Sequence, residues 1–362
     1  MAKPRRYQTK AGPRWYVPYR KPDGKQSVKR GFTTARDANL WQSQMLLAKN
    51  RGEFVSHNAG RVTVGQLYPD WIAVKQATTR ESHHRTLVSS WKNHVGPVWE
   101  NVAVSKVDRL SVERWLAKMT AQNLGASGVK RALGILAGVM DDAVKGGHVN
   151  TNKARGCDGI PRKQSKAKVF LTVDQVKALA DAAGEHRLLV LLLAYTGLRW
   201  SEAIHLHWAD VDLAKKRLTV DEGAVQLGSR FVLDTPKHAK RRTVAIPQFL
   251  ADELAAALVP GTGANLDLVF PGKDGNHLPR PKKNGWLSRA CADAGLQRLT
   301  PHNLRDAYAS LAVSGGANVL VLARSLGHSD PSVTLRVYAQ LFDADLDSVG
   351  DALDRLATAD RS

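Results

Sequence analysis

The sequence predicts a multidomain protein, mainly α-helical with small β-sheets. Its 362 residues exceed the roughly 100–200 of one ordinary domain. Apolar residues recur at helical spacing from Val64 to Val144 and again from about Phe170 onward. Short β-like runs bounded by turn residues occur near the N-terminus and between Leu218 and Ile246. A composition of 43% hydrophobic and 24% charged residues is that of a globular chain. The longest apolar run, Leu188 to Tyr195, is eight residues. A membrane-spanning helix needs about 20, so no membrane association is expected. The basic start has no apolar stretch after it, which points to a reducing cytoplasm. Cys157 and Cys291 form neither a disulfide framework nor a ligand cluster.

In chain order, the first elements are β-like runs at Trp15 to Tyr19 and Gln26 to Phe32, joined by the turn residues Lys21-Pro22-Asp23-Gly24. Thr33-Thr34-Ala35-Arg36-Asp37 then opens a helix containing Ala38, Leu40, Trp41 and Leu46. Trp15, Tyr16, Tyr19 and Phe32 are interleaved with Arg14, Arg20, Lys29 and Arg30, which suits a small sheet with one packed and one basic face. Residues 55–62 read as a linker. Four helices follow, marked by Val64, Leu67, Trp71 and Val74, by Leu87, Trp91 and Val95, by Val112, Trp115, Leu116 and Met119, and by Leu133, Leu136, Val139, Met140 and Val144. Short connections make them a bundle, with the Trp stripes as core. Residues 153–168, with six Lys and Arg and one acid, read as a second, basic linker.

Beyond it, Thr172 and Gln175 have the spacing of a capping box, and the apolar run from Leu188 is a buried helix. Leu218 to Val220, Phe231 to Leu233 and Val244 to Ile246 are expected to form one small antiparallel sheet. The remainder, Gln248 to Leu258, Asn284 to Gly295, His302 to Val313, Asn318 to Leu326 and Pro331 to Gln340, reads as helix.

The chain carries 53 Lys and Arg against 33 Asp and Glu, a net +20, which points to a polyanionic partner, although a basic surface can also serve solubility alone. Residues 1–60 hold 13 Lys and Arg against 3 Asp and Glu, half of that excess.

Four scattered pieces stand out by residue type. In Thr196-Gly197-Leu198-Arg199-Trp200-Ser201-Glu202 the glycine can end the buried helix, and a new helix begins near Arg199. A guanidinium beside helix N-terminal amides suits a phosphate. Thr235-Pro236-Lys237-His238 is a turn between strands that can present a lysine. His302-Asn303-Leu304-Arg305 puts an imidazole and a guanidinium on one helix face. Leu326-Gly327-His328 ends a helix, and Asp330 and Pro331 suit the cap and first position of the next, two turns into which lies Tyr338. Taken singly, Tyr338 reads as a half-buried helix residue, His328 as a helix cap and Lys237 as a solvated turn residue. Lys240, Arg241, His205 and His207 read as solvated charges or helix-face histidines.

In order, Arg, Lys, His-x-x-Arg, His and Tyr, with these spacings, the region from about 170 to 340 resembles the tyrosine site-specific recombinases of the phage integrase family. The resemblance rests on TGLRWSE, on TPK followed by Arg241-Arg242-Thr243, on HNLR, on LGH and on Tyr338 ten residues later. Asp306 departs from the pattern, since the family carries His or a basic residue there, and a local change in packing on the phosphate side is expected. The resemblance implies an arm-type DNA-binding module at 1–58, a helical core-type DNA-binding domain at 62–152 and an α+β catalytic domain with a C-terminal tail helix at 168–362. It implies Tyr338 as nucleophile forming a 3′-phosphotyrosine, Arg199 and Arg305 on the phosphate oxygens, and Lys237 as general acid. It further implies His302 moving the tyrosine proton, His328 bonding the phosphate and Glu202 orienting the others. No cofactor is implied, neither ATP nor metal. The implied partners are double-stranded DNA attachment sites and a homotetramer on DNA in a bacterial host, with an accessory DNA-bending protein and an excisionase as further candidates.

A transposon-encoded recombinase, a chromosome-dimer-resolving recombinase, a type IB topoisomerase and a catalytically silent DNA-binding protein are the competing readings. Residues 339–362, with six Asp and two Arg, carry Leu346, Val349, Leu353 and Leu356 at helical spacing. This acidic amphipathic tail folds back in cis or docks on a neighbouring protomer.

Overall fold

The computed structural model describes residues 3–20, 24, 26–50, 59–162, 169–233, 241–258, 267–328, 330–332, 335 and 350. The chain forms two compact units, Met1–Ser165 and Lys166–Ser362.

The first unit opens with an antiparallel sheet in the order β1 (Arg5–Thr9), β2 (Gly12–Arg20) and β3 (Gln26–Phe32), followed by the helix α1 (Ala35–Asn50). Strand β1 is absent from the sequence reading because its residues, RRYQT, show no apolar alternation. The turn residues Lys21, Pro22 and Asp23 lie outside the described residues. Val17, Ala38 and Met45 are buried between sheet and helix, and the Tyr19 and Phe32 rings lie 5.4 and 5.8 Å from that of Trp41. The register puts Arg5 opposite Tyr16 and Tyr16 opposite Arg30, a row across all three strands with one aromatic ring between two exposed guanidinium groups.

The bundle of the same unit contains the four expected helices, α2 (Val64–Thr78), α3 (Glu81–Ser90), α5 (Arg109–Ala121) and α6 (Ala126–Lys145), and one not expected, the short α4 (Gly96–Trp99). A widened turn at Trp91–Val95 links α3 to α4 and closes where Pro97 lacks a donor. Trp71 and Trp115 are buried, as their stripes predict, and so is Trp99 outside the stripes, while Trp91 is only partly buried and Val74 is exposed. Trp71 presses so closely on α6 that a Cβ at Gly138 would stand 2.5 Å from its Nε1.

In the second unit Thr172 caps α7 (Val173–Ala182), with the expected reciprocal bonds to Gln175. Next come the buried α8 (Arg187–Thr196), the single turn α9 (Trp200–Ala203), and strands β4 (Val211–Asp212), β5 (Arg217–Val220), β6 (Ala224–Leu227), β7 (Arg230–Leu233) and β8 (Arg242–Ala245). The strands make two sheets rather than the expected one. β5 pairs with β4 and β8, whereas β7, containing Phe231 to Leu233, pairs with β6 through the tight turn after Leu227. That two-residue turn determines β7's partner locally, before any longer pairing can compete. α10 (Gln248–Ala257), α11 (Trp286–Asp293), α12 (Pro301–Ser314) and α13 (Val319–Leu326) complete the described elements.

Two helix ends position everything that follows. α8 stops at Gly197 (φ +64), where a Cβ would lie 2.3 Å from the Tyr308 ring, and α13 stops at Gly327 (φ +65). Both glycines adopt the left-handed region, and the first is also a close approach of α12. Gly197→Ala is expected to lower stability by on the order of 2–4 kcal/mol in a denaturant titration, through strain and overpacking together.

Candidate active site

Arg199 is the N-cap of α9 and Glu202 its third residue. The Glu202 carboxylate accepts from the Arg199 amide at 2.7 Å and from Arg199 Nη1 at 2.8 Å. Glu202 therefore takes the N-cap amide of the one-turn α9, which is not available to an anion. Glu202 is a buried carboxylate, its side chain 3% exposed, and it is held on its other side by Arg242 through two bonds of 3.0 and 2.7 Å. Burial pushes its carboxyl up. The Arg242 hydrogen bonds and charge, with the Arg199 amide and charge, outweigh this and hold it below the usual carboxylate range.

Arg305 enters from α12, whose start is fixed by Pro301 and a capping box between Thr300 and Asn303. One face of the helix carries both His302, exposed, and Arg305, buried. The Arg305 guanidinium donates to the Gly197 carbonyl at 2.6 Å and to the Leu326 carbonyl, so it ties together the ends of α8 and α13.

The end of α13 collects three guanidinium groups. Arg242 Nε donates to the Ser325 carbonyl at 2.9 Å, Arg305 to that of Leu326, and Arg199 Nη2 lies 3.5 Å from that of Gly327. These are the orphan carbonyls of a helix terminus, where the dipole is negative and cations are favoured. His328 follows directly, its amide bonded to the Ala323 carbonyl at 3.0 Å. Arg199, His302 and Arg305 line one cavity of about 410 Å³, together with Trp200, Gln226 and Arg280 among others. Thus Arg199, Glu202, His302, Arg305 and His328 come from three separate stretches to one place. Lys237, Lys240 and Tyr338, and the tail beyond Tyr338 except Gly350, lie outside the described residues.

Arg280 is missing from the sequence reading, and Arg242 stands there only within the motif Arg241-Arg242-Thr243, with no role of its own. The strand alternation of β8 could have found Arg242, since it shares a face with the buried Val244 while Arg241 is exposed. Arg280 carries no such pattern. It reaches the cavity because its amide is held by Gln226 Oε1 at 3.0 Å.

Contrary to the sequence reading, His205 and His207 are neither solvated nor on a helix face. They follow α9 in a loop, where His205 Nδ1 lies 2.8 Å from His277 Nε2 and the His205 and His207 rings are 4.8 Å apart. Burial first, and then the neighbouring histidines, pull His205 and His277 below the ordinary imidazole value, despite Glu222 and Asp210 nearby. The unfolded chain then binds protons that the folded chain refuses. Stability is complete above about 6.5 and falls as pH drops through that value. Thermal unfolding followed from about pH 7.5 to 5.5 should show a falling midpoint, with a shallower slope in His277→Gln. A slope unchanged by that substitution would remove the pair as its source.

Residues 169–345 match the phage integrase family. The integrase of Mycobacterium phage L5 is 27% identical over 275 residues, covering 74% of this chain and 72% of that protein. The Tn1549 transposon integrase in complex with transposon right-end DNA shares the fold at a TM-score of 0.67, with 19% identity over 82% of this chain and 99% of its own. A lambda integrase tetramer bound to a Holliday junction does so at 0.59, with 18% identity over 90% of this chain and 96% of its own. With the matched span enclosing the whole cavity and its arginines, the chain carries a phage integrase family domain and is a site-specific tyrosine recombinase.

Proposed function

We propose that the protein is a phage or prophage integrase that joins DNA at attachment sites through a covalent 3′-phosphotyrosine. The observation that carries this is the convergence of Arg199, Arg305 and His302 on one cavity, with two guanidinium groups held by backbone carbonyls and a buried carboxylate. Groups so fixed need no reorganisation as charge develops on a phosphate. In the reaction the Tyr338 oxygen attacks phosphorus, the bond from phosphorus to the 5′-oxygen breaks, and Lys237 supplies the proton to that leaving oxygen. His302 takes the tyrosine proton, His328 bonds a non-bridging oxygen, and Arg199 and Arg305 carry the charge of the five-coordinate transition state. The phosphotyrosine preserves the ester for attack by a 5′-hydroxyl of a second duplex.

The DNA partner, the assembly of four protomers and a cytoplasmic setting in a bacterial host belong to the same proposal. They are supported by the net +20 and by the likeness to DNA-bound integrase structures. Residues 1–58 serve as the arm-binding module, with the Arg5, Tyr16 and Arg30 row facing phosphates and groove. Residues 62–152 bind the core site, and 168–362 perform catalysis. An accessory DNA-bending protein and an excisionase act on the same complex.

Covalent capture on fragmented host and phage DNA, followed by sequencing, identifies the core site. A duplex nicked beside the scissile phosphate then traps the adduct. The active enzyme should accumulate it, and should join two marked duplexes where a topoisomerase would only relax DNA. Lys237→Ala is expected to slow cleavage of the normal ester by on the order of 10²–10⁴, and a 5′-thio leaving group much less, since a thiolate departs without a proton. Equal defects on both substrates would remove Lys237 as the acid.

A further inference from the structure

We propose that Arg242 is a positioning residue of the cleavage site, whose charge lets Glu202 orient Arg199 without neutralising it. This rests on the recombinase reading of the same cavity. Glu202 lies between two guanidinium groups of unequal exposure. Arg242 is 10% exposed and grips both carboxylate oxygens, whereas Arg199 is 41% exposed and lines the cavity. A carboxylate paired with Arg199 alone would form a neutral couple, with little attraction left for a phosphate. The trio instead carries net positive charge, and its exposed member is the one facing the cavity. In a partly desolvated site such a charge acts strongly on a phosphate a few ångströms away.

Geometry adds a second role. While two nitrogens hold Glu202, Nε is fixed on the Ser325 carbonyl, and the side chain lies 3.3 Å from where a Gly327 Cβ would stand. Arg242 therefore locks α9 to the end of α13, immediately before His328. Lysine retains the charge but lacks the planar fork that makes three such bonds at once.

The test uses the full chain and the nicked core-site duplex identified by covalent capture, at saturating DNA. Arg242→Gln is expected to slow adduct formation about 10²-fold, the size of effect seen when one fixed donor of a transition state is lost. Affinity for the core site should change by no more than about threefold, and Arg242→Lys should be intermediate. The decisive variant is Glu202→Gln with Arg242→Gln, which removes the buried carboxylate together with its counter-charge. It should cleave faster than Arg242→Gln alone and no more slowly than Glu202→Gln alone. A purely architectural arginine would not produce this rescue. A double variant whose defect is the product of the single defects would overturn the proposal. So would Arg242→Gln or Arg242→Lys cleaving within about threefold of wild type with an unchanged melting temperature. If Arg242→Gln fails to fold, the Lys variant and the comparison of the double variant with Glu202→Gln decide by the same criteria. A wild-type chain that forms no adduct overturns the recombinase reading instead.

Discussion

Tyr338→Phe is expected to bind its core site with near wild-type affinity and to yield no covalent adduct. The substitution removes one hydroxyl from a protein whose net +20 engages phosphates broadly, so binding has little to lose. Chemistry loses its nucleophile, and such losses run to about 10⁵–10⁶ or more, below detection in a trapping assay. Tyr308, whose hydroxyl feels the charges of Arg305 and Arg242, offers no substitute. Tyr308 is packed on Gly197, and burial pushes its hydroxyl up, only partly offset by Ser325 and the charges of Arg305 and Arg242. A denaturation-resistant adduct in Tyr338→Phe, mapped by peptide sequencing to Tyr308 or any other residue, would refute the assignment.

Replacing Arg199 and Arg305 in turn should separate catalysis from stability. Arg305→Ala is expected to lose cleavage by at least about 10²–10³-fold and also to destabilise the second unit. Its buried guanidinium holds the Gly197 and Leu326 carbonyls, and each buried acceptor left unsatisfied costs about 1–3 kcal/mol. Arg199→Ala should lose cleavage comparably while the melting temperature changes little, because Arg199 is far more exposed and Glu202 keeps its two bonds to Arg242. Equal shifts in melting temperature for the two variants would contradict the carbonyl-anchoring role of Arg305.

The helices and their ends were legible because they are governed by local chemistry. Thr172 and Gln175 cap α7 through bonds spanning three residues, and Asn318 does the same for α13. The pairing of His302 with Arg305 on one face follows from helical period alone. Glycines at 197 and 327 announced chain reversals, since only that residue enters the left-handed region without cost.

Sheet pairing was not legible, and Phe231 to Leu233 went to the wrong neighbours, because alternation identifies a strand but not its partner. Val74 follows the apolar period of its helix yet faces solvent, since periodicity selects a stripe without saying how much of it is covered. The histidines at 205 and 277 are 72 residues apart in sequence and within hydrogen-bond distance in space.

By itself, then, the sequence determined the order of the chemical groups, the helices that carry them and the family resemblance that their spacing supports. Tertiary structure decided which charges face the cavity and which are consumed in holding it. Arg241 and Arg242 are adjacent and chemically identical, but strand alternation exposes one and turns the other onto Glu202. Arg305 spends bonds on carbonyls 108 and 21 residues away. Local propensity acts over one or two turns of chain, whereas the pairing of a buried carboxylate with its guanidinium groups is settled only when packing removes water from both.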